Sequence, residues 1–199
     1  MFSKKSEDEL KRDTEILVID DKKIELIRAI EKEGWKIKYL PDLDSYSNQY
    51  LKSSHILCID ILGVGKQLKC KDGMELVKNI KTHYPNIKII LYSSTSEHDI
   101  FDEILDIVDE RIHKDGQPFP FLKAIKTLSA NTFDWSSCTK STYDKFKTEF
   151  GVEISYEEFE KKMRKLVEKK KLNNEDVAKI LSCGKIGIEI VSVLSKFVE

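Results

Sequence analysis

Apolar positions fall along the chain in two rhythms. Short unbroken runs, "EILVI" at 15–19, "HILCI" at 55–59 and "IKIILY" at 87–92, have the character of strands covered on both faces. Between them, apolar residues recur at helical spacing. Ile24, Ile27 and Ile30 mark a helix over 22–33 with Gly34 just past its end; Met74, Val77 and Ile80 mark one over 74–83, stopped near Pro85. "WKIKY" (35–39) alternates as a half-buried strand does, and 42–52 reads as a weaker helix. A helix over 97–108, a short charged strand "ERIHK" (110–114) and a helix from about 120 to 128 complete the series. Five strands alternating with five helices predict an α/β fold built on a doubly wound, five-stranded parallel sheet.

The pattern changes after Leu128. The segment 129–141 is small and polar, broken only by Phe133 and Trp135, and reads as a linker or docking segment. Helical patterns follow at about 141–149, 156–171, 174–182 and 186–197. Ser155 and Glu158 are spaced as a capping box ahead of the apolar stripe Tyr156, Phe159, Met163 and Leu166. The organisation expected is therefore a first domain over 1–128, a linker over 129–140 and a small all-α domain over 141–199.

Composition narrows the function classes. The 199 residues are 40% hydrophobic and 35% charged, enough to bury a core and form one or two domains. The net charge of −1 gives no global basic field for nucleic acid or an acidic membrane. The C-terminal part from 136 carries 13 basic against 11 acidic residues, so no basic tail hides behind that balance. Without a spanning apolar run or an apolar leader after Met1, the chain reads as soluble, unexported and cytoplasmic, with no membrane partner. Cys58, Cys70, Cys138 and Cys183 lie far apart without a Cys-x-x-Cys pair, as reduced thiols do.

Chemistry concentrates where the strands end. In a doubly wound sheet, functional groups gather beyond the carboxyl ends of the strands. Here those ends read Asp20-Asp21, Asp60, Ser93-Ser94 and Lys114. Each alone has an ordinary explanation: an acidic pair is more often a helix cap, a serine a turn former, a lysine a solvated surface group. Together they place three carboxylates, hydroxyls and one ammonium in one crevice. Clustered carboxylates need a compensating cation, and hard oxygen donors with room for water suit Mg²⁺ better than zinc.

The acidic pair after the first strand, Asp60, Ser93 and Lys114 in that order, with "DGMELVKNIK" at 72–81, resemble the CheY-like receiver domain of bacterial two-component response regulators over about residues 13–128. The resemblance implies a flavodoxin-like sheet of order 2-1-3-4-5. It implies Asp60 as phosphoacceptor, Mg²⁺ held by Asp21 and Asp60, by Asp20 directly or through water, and by the backbone carbonyl of Leu62. Ser93 would bond the incoming phosphoryl group and Lys114 would be its counter-ion. The partner would be a sensor histidine kinase or a phosphotransfer protein, and the chain no enzyme beyond its own phosphorylation. Two departures stand out. The loop after Asp60, 61–71, is longer than usual, with Gly63 and Gly65 and three lysines, and is expected to be mobile. Arg111 occupies the place of a customary Tyr or Phe, so an ion-pair rearrangement with Glu97, Asp99, Asp102 or Glu103 is expected instead of ring burial.

The C-terminal region loosely suggests a helix-turn-helix at 176–196, but its second helix is Ile186, Ile188, Ile190, Val191, Val193, Leu194 and Phe197, with only Lys185 and Lys196 basic. A recognition helix needs polar and basic side chains, so this one reads as a buried helix or an association surface. "KKK" at 169–171 reads as a solvated helix end. Three function classes follow: a phosphorylation-switched regulator whose helical tail binds a protein or forms a homodimer, a DNA-binding transcriptional regulator, and a pseudo-receiver scaffold.

Overall fold

The three unbroken apolar runs are strands with almost nothing exposed. The computed structural model describes residues 4–22, 25–94, 106–114, 117–150, 154–168, 190 and 193–197. Its strands are β1 (Glu15–Ile19), β2 (Lys36–Leu40), β3 (Ile56–Asp60), β4 (Lys88–Ser93) and β5 (Glu110–His113). They pair in parallel in the order β2-β1-β3-β4-β5, the order of the expected doubly wound sheet. The central strands β1, β3 and β4 are buried on both faces, whereas the edges β2 and β5 alternate or are exposed.

Helices α1 (Glu7–Asp13), α2 (Glu25–Lys32), α3 (Gln49–Ser53), α4 (Gly73–His83) and α5 (Phe119–Thr132) accompany the sheet. The side-chain period of two sorts the strand residues. Leu17, Ile19, Leu57, Ile59, Ile89 and Leu91 join one core with Leu76, Val77 and Ile80 of α4. The other parity, Ile16, Val18, Cys58, Ile90 and Tyr92, is buried as well. Leu26, Ile27 and Ile30 of α2 and Phe121, Ile125 and Leu128 of α5 are buried too.

Two elements of the N-terminal part differ from the pattern read in the sequence. Helix α1 was not expected, yet Ser6 and Glu9 carry its signal: Glu9 N–H donates to Ser6 Oγ and Ser6 N–H to Glu9 Oε2 (2.7 Å), a complete capping box. The helix read over 42–52 shrinks to α3. Its beginning is diverted because the Asp42 carboxylate accepts N–H groups from Leu43 (2.8 Å), Gly65 (2.6 Å) and Gln67 (3.0 Å). Those bonds tie the 61–71 loop to the chain after β2. Val64 and Cys70 are buried in the main core, and Cys70 N–H closes the loop on Gly65 O (2.9 Å). The loop expected to be mobile is thus pinned at its middle and its end, with Lys66, Lys69 and Lys71 left exposed.

The chain divides into two compact units, Lys5–Ala130 and a second built from Asn131 onward. The second contains α6 (Trp135–Phe150) and α7 (Tyr156–Glu168), so the segment 129–140 read as a linker is largely helical. Back-bonding reconciles two hydroxyls of this stretch of the chain with a helix. Thr139 Oγ1 donates to Trp135 O (2.9 Å) and Thr142 Oγ1 to Cys138 O (2.7 Å), so these two hydroxyls do not compete for N–H groups. Phe159, Met163 and Leu166 are buried with Trp135 and Tyr143, as the apolar stripe predicts. Ile190 and Leu194 join the same core, so these parts of the last apolar segment are covered within their own unit and offer no association surface. The expected helix at 174–182, the lysines 169–171, most of the 97–108 helix with its four acidic residues, and the turn-region glycines of the suggested helix-turn-helix lie outside the described residues.

Candidate functional site

Strand register determines what meets at the carboxyl edge. Ile19 of β1 lies beside Ile59 of β3, Asp60 beside Tyr92 of β4, and Ser93 beside His113 of β5. The next residue of β1 is Asp20 and the next of β5 is Lys114. The four groups read from the strand ends are therefore neighbours. Lys114 N–H donates to Ser93 O (2.7 Å), which fixes the end of β5 against β4.

Asp20, Asp21 and Asp60 each offer a carboxylate oxygen, all within 4.8 Å of one another. Asp20 is fully buried, Asp60 is 6% exposed, and Asp21 lies at the surface. Lys114 Nζ bridges the two buried carboxylates, 2.8 Å from Asp20 Oδ2 and 3.1 Å from Asp60 Oδ2. The other Asp60 oxygen accepts Ile61 N–H (2.8 Å), and Asp20 Oδ1 accepts Lys22 N–H (2.9 Å). Tyr39 Oη donates to Asp20 O (2.9 Å).

Two glycines make the crowding feasible. A Cβ on Gly63 would lie 2.3 Å from Asp21 Oδ2, and φ at Gly63 is +86°, so both space and backbone demand glycine there. A Cβ on Gly73 would lie 2.1 Å from Asp60 O, where the start of α4 presses on the end of β3. Asp72 caps that helix, accepting N–H from Met74 and Glu75 at 3.0 Å each.

The electrostatics are those of a cation-deficient pocket. Burial pushes the Asp60 carboxyl above the ordinary carboxylate range; Lys114 opposes this and Asp20 adds to it. For Lys114, burial disfavours the ammonium, but its bonds to Asp20 and Asp60 outweigh it and hold the amine above its usual value. Three carboxylates thus share one bonded ammonium among the described residues. The donor set fits a hard divalent cation: all oxygen, closely spaced, with Asp21 open to water.

Ser93 is buried at the end of β4, and Leu62 begins the loop after Asp60 with its side chain 51% exposed. Arg111 is exposed on β5, and its four candidate partners on the preceding segment are outside the described residues. Tyr92 was not singled out from the sequence. Its alternation in "IKIILY" reads as core, and only the register places it at the pocket. Tyr92 Oη donates to Asp20 Oδ2 (2.9 Å), and Lys114 Nζ lies 5.3 Å from its ring centroid. Burial first, and the Asp20 charge second, push its phenol well above the usual value.

No model of a known protein family matches the chain. A transcriptional regulatory protein of Salmonella typhi, RcsB, is 28% identical over 120 residues, 57% of this chain and 55% of that protein. RcsB of Escherichia coli K12 is 28% identical over 106 residues, 53% of this chain and 44% of that protein. The chain spans about half the length of the curated relatives it matches. The isolated receiver domain of RcsB from Salmonella enterica serovar Typhimurium, solved with the phosphomimetic BeF3-, is 26% identical with a TM-score of 0.50, covering 58% of this chain and 88% of that one. The non-phosphorylated receiver domain of the Escherichia coli protein is 25% identical with a TM-score of 0.50, covering 58% and 92%. A promoter-bound RcsB from Salmonella enterica is alike in fold over 94% of both chains, with a TM-score of 0.50 and 23% identity. The N-terminal unit has the CheY-like receiver fold, and the chain is similar to response regulators.

Proposed function

We propose that the chain is a response regulator whose receiver domain accepts a phosphoryl group on Asp60 in a Mg²⁺-dependent reaction in the cytoplasm, switching the helical C-terminal unit. The observation that carries this reading is the bridge of Lys114 across Asp20 and Asp60 beside Asp21 and the buried Ser93. In-line transfer forms a bond from an Asp60 oxygen to phosphorus while the bond to the donor's phosphohistidine nitrogen, or to a small acyl-phosphate oxygen, breaks. The leaving group keeps the electron pair and takes its proton from solvent. Lys114 then exchanges a carboxylate for a phosphoryl oxygen as counter-ion, and Ser93 supplies a hydroxyl donor. Asp21, Asp60, the Leu62 carbonyl and, directly or through water, Asp20 would hold Mg²⁺, which supplies charge neutralisation at the transferring oxygens.

The donor proposed is a sensor histidine kinase or a phosphotransfer protein, and the output is protein association, including a homodimer, by the C-terminal unit. The chain transfers phosphate to itself at most. The test is incubation with a small acyl phosphate and Mg²⁺, reading Asp60 modification and oligomeric state together. Expected is modification that needs Mg²⁺ and is lost in Asp60→Asn. Unmodified Asp60 under those conditions would sink the reading in favour of a scaffold. A second reading, a DNA-binding regulator, is favoured by the similarity to a transcriptional regulatory protein. Duplex binding that weakens steeply with salt would support it.

A further inference from the structure

Tyr92 has no part in the chemistry proposed above, yet it bonds directly to one of the pocket's buried carboxylates. Its ring is buried, 1% exposed, and packs edge-on against Phe121 of α5 at a centroid distance of 5.2 Å. Held there, its hydroxyl reaches one atom, Asp20 Oδ2, the same oxygen that accepts Lys114 Nζ. Asp20 Oδ1 is meanwhile taken by Lys22 N–H. Both oxygens of this carboxylate are therefore occupied by protein donors, while Asp60 divides its oxygens between Lys114 and Ile61 N–H and Asp21 stays open.

We infer that Tyr92 is a positioning residue that turns Asp20 away from a bound divalent cation and toward Lys114. The cation is then left to Asp21 and Asp60 with Asp20 reached through water, and Lys114 stays divided between two carboxylates and releasable to a third anion. This rests on the receiver reading for the role of Lys114, but the metal preference stands on the geometry of the acidic cluster alone. Without the phenol, Oδ2 keeps one donor in place of two. Asp20 can then swing toward the cation and away from Lys114, so the ammonium is no longer divided and sits more firmly on Asp60. The same change therefore strengthens metal binding and slows phosphoryl acceptance, a split that generalised damage to the pocket does not produce.

The experiment compares wild type with Tyr92→Phe, which keeps the ring and its contact with Phe121, in titrations with Mn²⁺ and Mg²⁺ followed by tyrosine absorbance and calorimetry. Thermal melts establish that both are folded. Expected is metal binding tighter by up to about tenfold in Tyr92→Phe, the scale on which outer partners of ligands act, together with slower modification of Asp60 at saturating Mg²⁺. In an Asp20→Asn background the Tyr92→Phe change should leave metal affinity unmoved, since the effect runs through Asp20. Unchanged or weaker metal binding in Tyr92→Phe overturns the inference, as does an equal gain in the Asp20→Asn background. If wild type binds metal and Tyr92→Phe binds it tighter, but Asp60 accepts no phosphoryl group in either, the receiver reading falls and the positioning role stands.

Discussion

Lys114 is the group on which the charge balance of the pocket turns, and replacing it by Met isolates that role. Methionine keeps an unbranched stem of similar reach and removes only the ammonium. Two bonds are lost, at 2.8 Å to fully buried Asp20 and at 3.1 Å to Asp60. At an effective dielectric of about 20, each contact has a gross attraction of about 5–6 kcal/mol, most of it offset by the cost of taking the charges out of water. Removing one partner of a fully buried pair costs about 3–5 kcal/mol. The Lys114 side chain is 22% exposed, so water can partly replace it, and we expect Lys114→Met to lose about 2–3 kcal/mol.

The assay is urea unfolding of the full chain at neutral pH with chelator, and again with saturating Mg²⁺. A cation between Asp21 and Asp60 restores the missing positive charge, so Mg²⁺ should stabilise Lys114→Met more than wild type. The pH dependence gives a second check. The Asp60 carboxyl is already raised above its usual value by burial, and losing Lys114 raises it further. The penalty for burying its charge is therefore absent at low pH and grows as pH climbs from the ordinary value of 3.8 through the raised one. Lys114 itself has a raised value, so its own contribution is full below 10.5 and is lost only at more alkaline pH. The variant's deficit should hence shrink on acidification. A deficit equal at acidic and neutral pH, or a Mg²⁺ gain no larger than in wild type, would refute the charge-balance argument.

Three further outcomes follow from the same geometry. Asp60→Asn should make the metal-free protein more stable at neutral pH than wild type, the gain fading below the Asp60 titration, as paired melts at two pH values will show. Asp109→Asn should do the opposite: Asp109 accepts from Lys88 (2.8 Å), Lys81 (3.3 Å) and Ile89 N–H (2.9 Å), and unfolding in urea should reveal a loss of about 2–3 kcal/mol. Despite its burial the two lysines hold the Asp109 carboxyl below its usual 3.8, so that contribution is present above 3.8 and lost as pH falls through the lower folded value. Asp42→Ala releases three N–H groups and should cost about 1.5–3 kcal/mol in urea unfolding, with hydrogen exchange accelerating at Gly65 and Gln67; slow exchange there would mean the loop is held by Val64 and Cys70 alone.

The sheet and the acidic end of the site were legible because both are written in single strands. "EILVI" and "HILCI" bury every residue or nearly so, and a run without alternation has few other solutions in a chain this size. Asp20, Asp60, Ser93 and Lys114 each end a strand, so strand boundaries sufficed to bring them together. What escaped depends on pairs of segments. Tyr92 belongs to the site only because β4 lies beside β3 in a register that sets it next to Asp60, and nothing in "IKIILY" separates it from its core neighbours. Asp42 looked like part of a helix because its partners, Gly65 and Gln67, lie over twenty residues away. The segment 129–140 looked like a linker because hydroxyls usually compete with helical bonds, whereas here Thr139 returns its hydroxyl to a carbonyl one turn back and those of Ser129 and Thr132 are buried without a hydrogen-bond partner.

The two edges of the sheet treat charge in opposite ways. At the edge where the strands begin, one carboxylate, Asp109, is shared by two ammoniums and a backbone N–H. Cations exceed anions, every lone pair in use has a donor, and the carboxyl titrates low. At the edge where they end, three carboxylates share one ammonium, and the carboxyl of Asp60 titrates high. Both clusters are built from aspartates and lysines, and the ratio of acids to lysines distinguishes them. A cluster with surplus cations locks β4, β5 and α4 together. The cluster with surplus anions has Lys114 as its one bonded ammonium among the described residues, and under the proposed function a divalent cation, and then a phosphoryl group drawing Lys114 away, would relieve its like-charge repulsion.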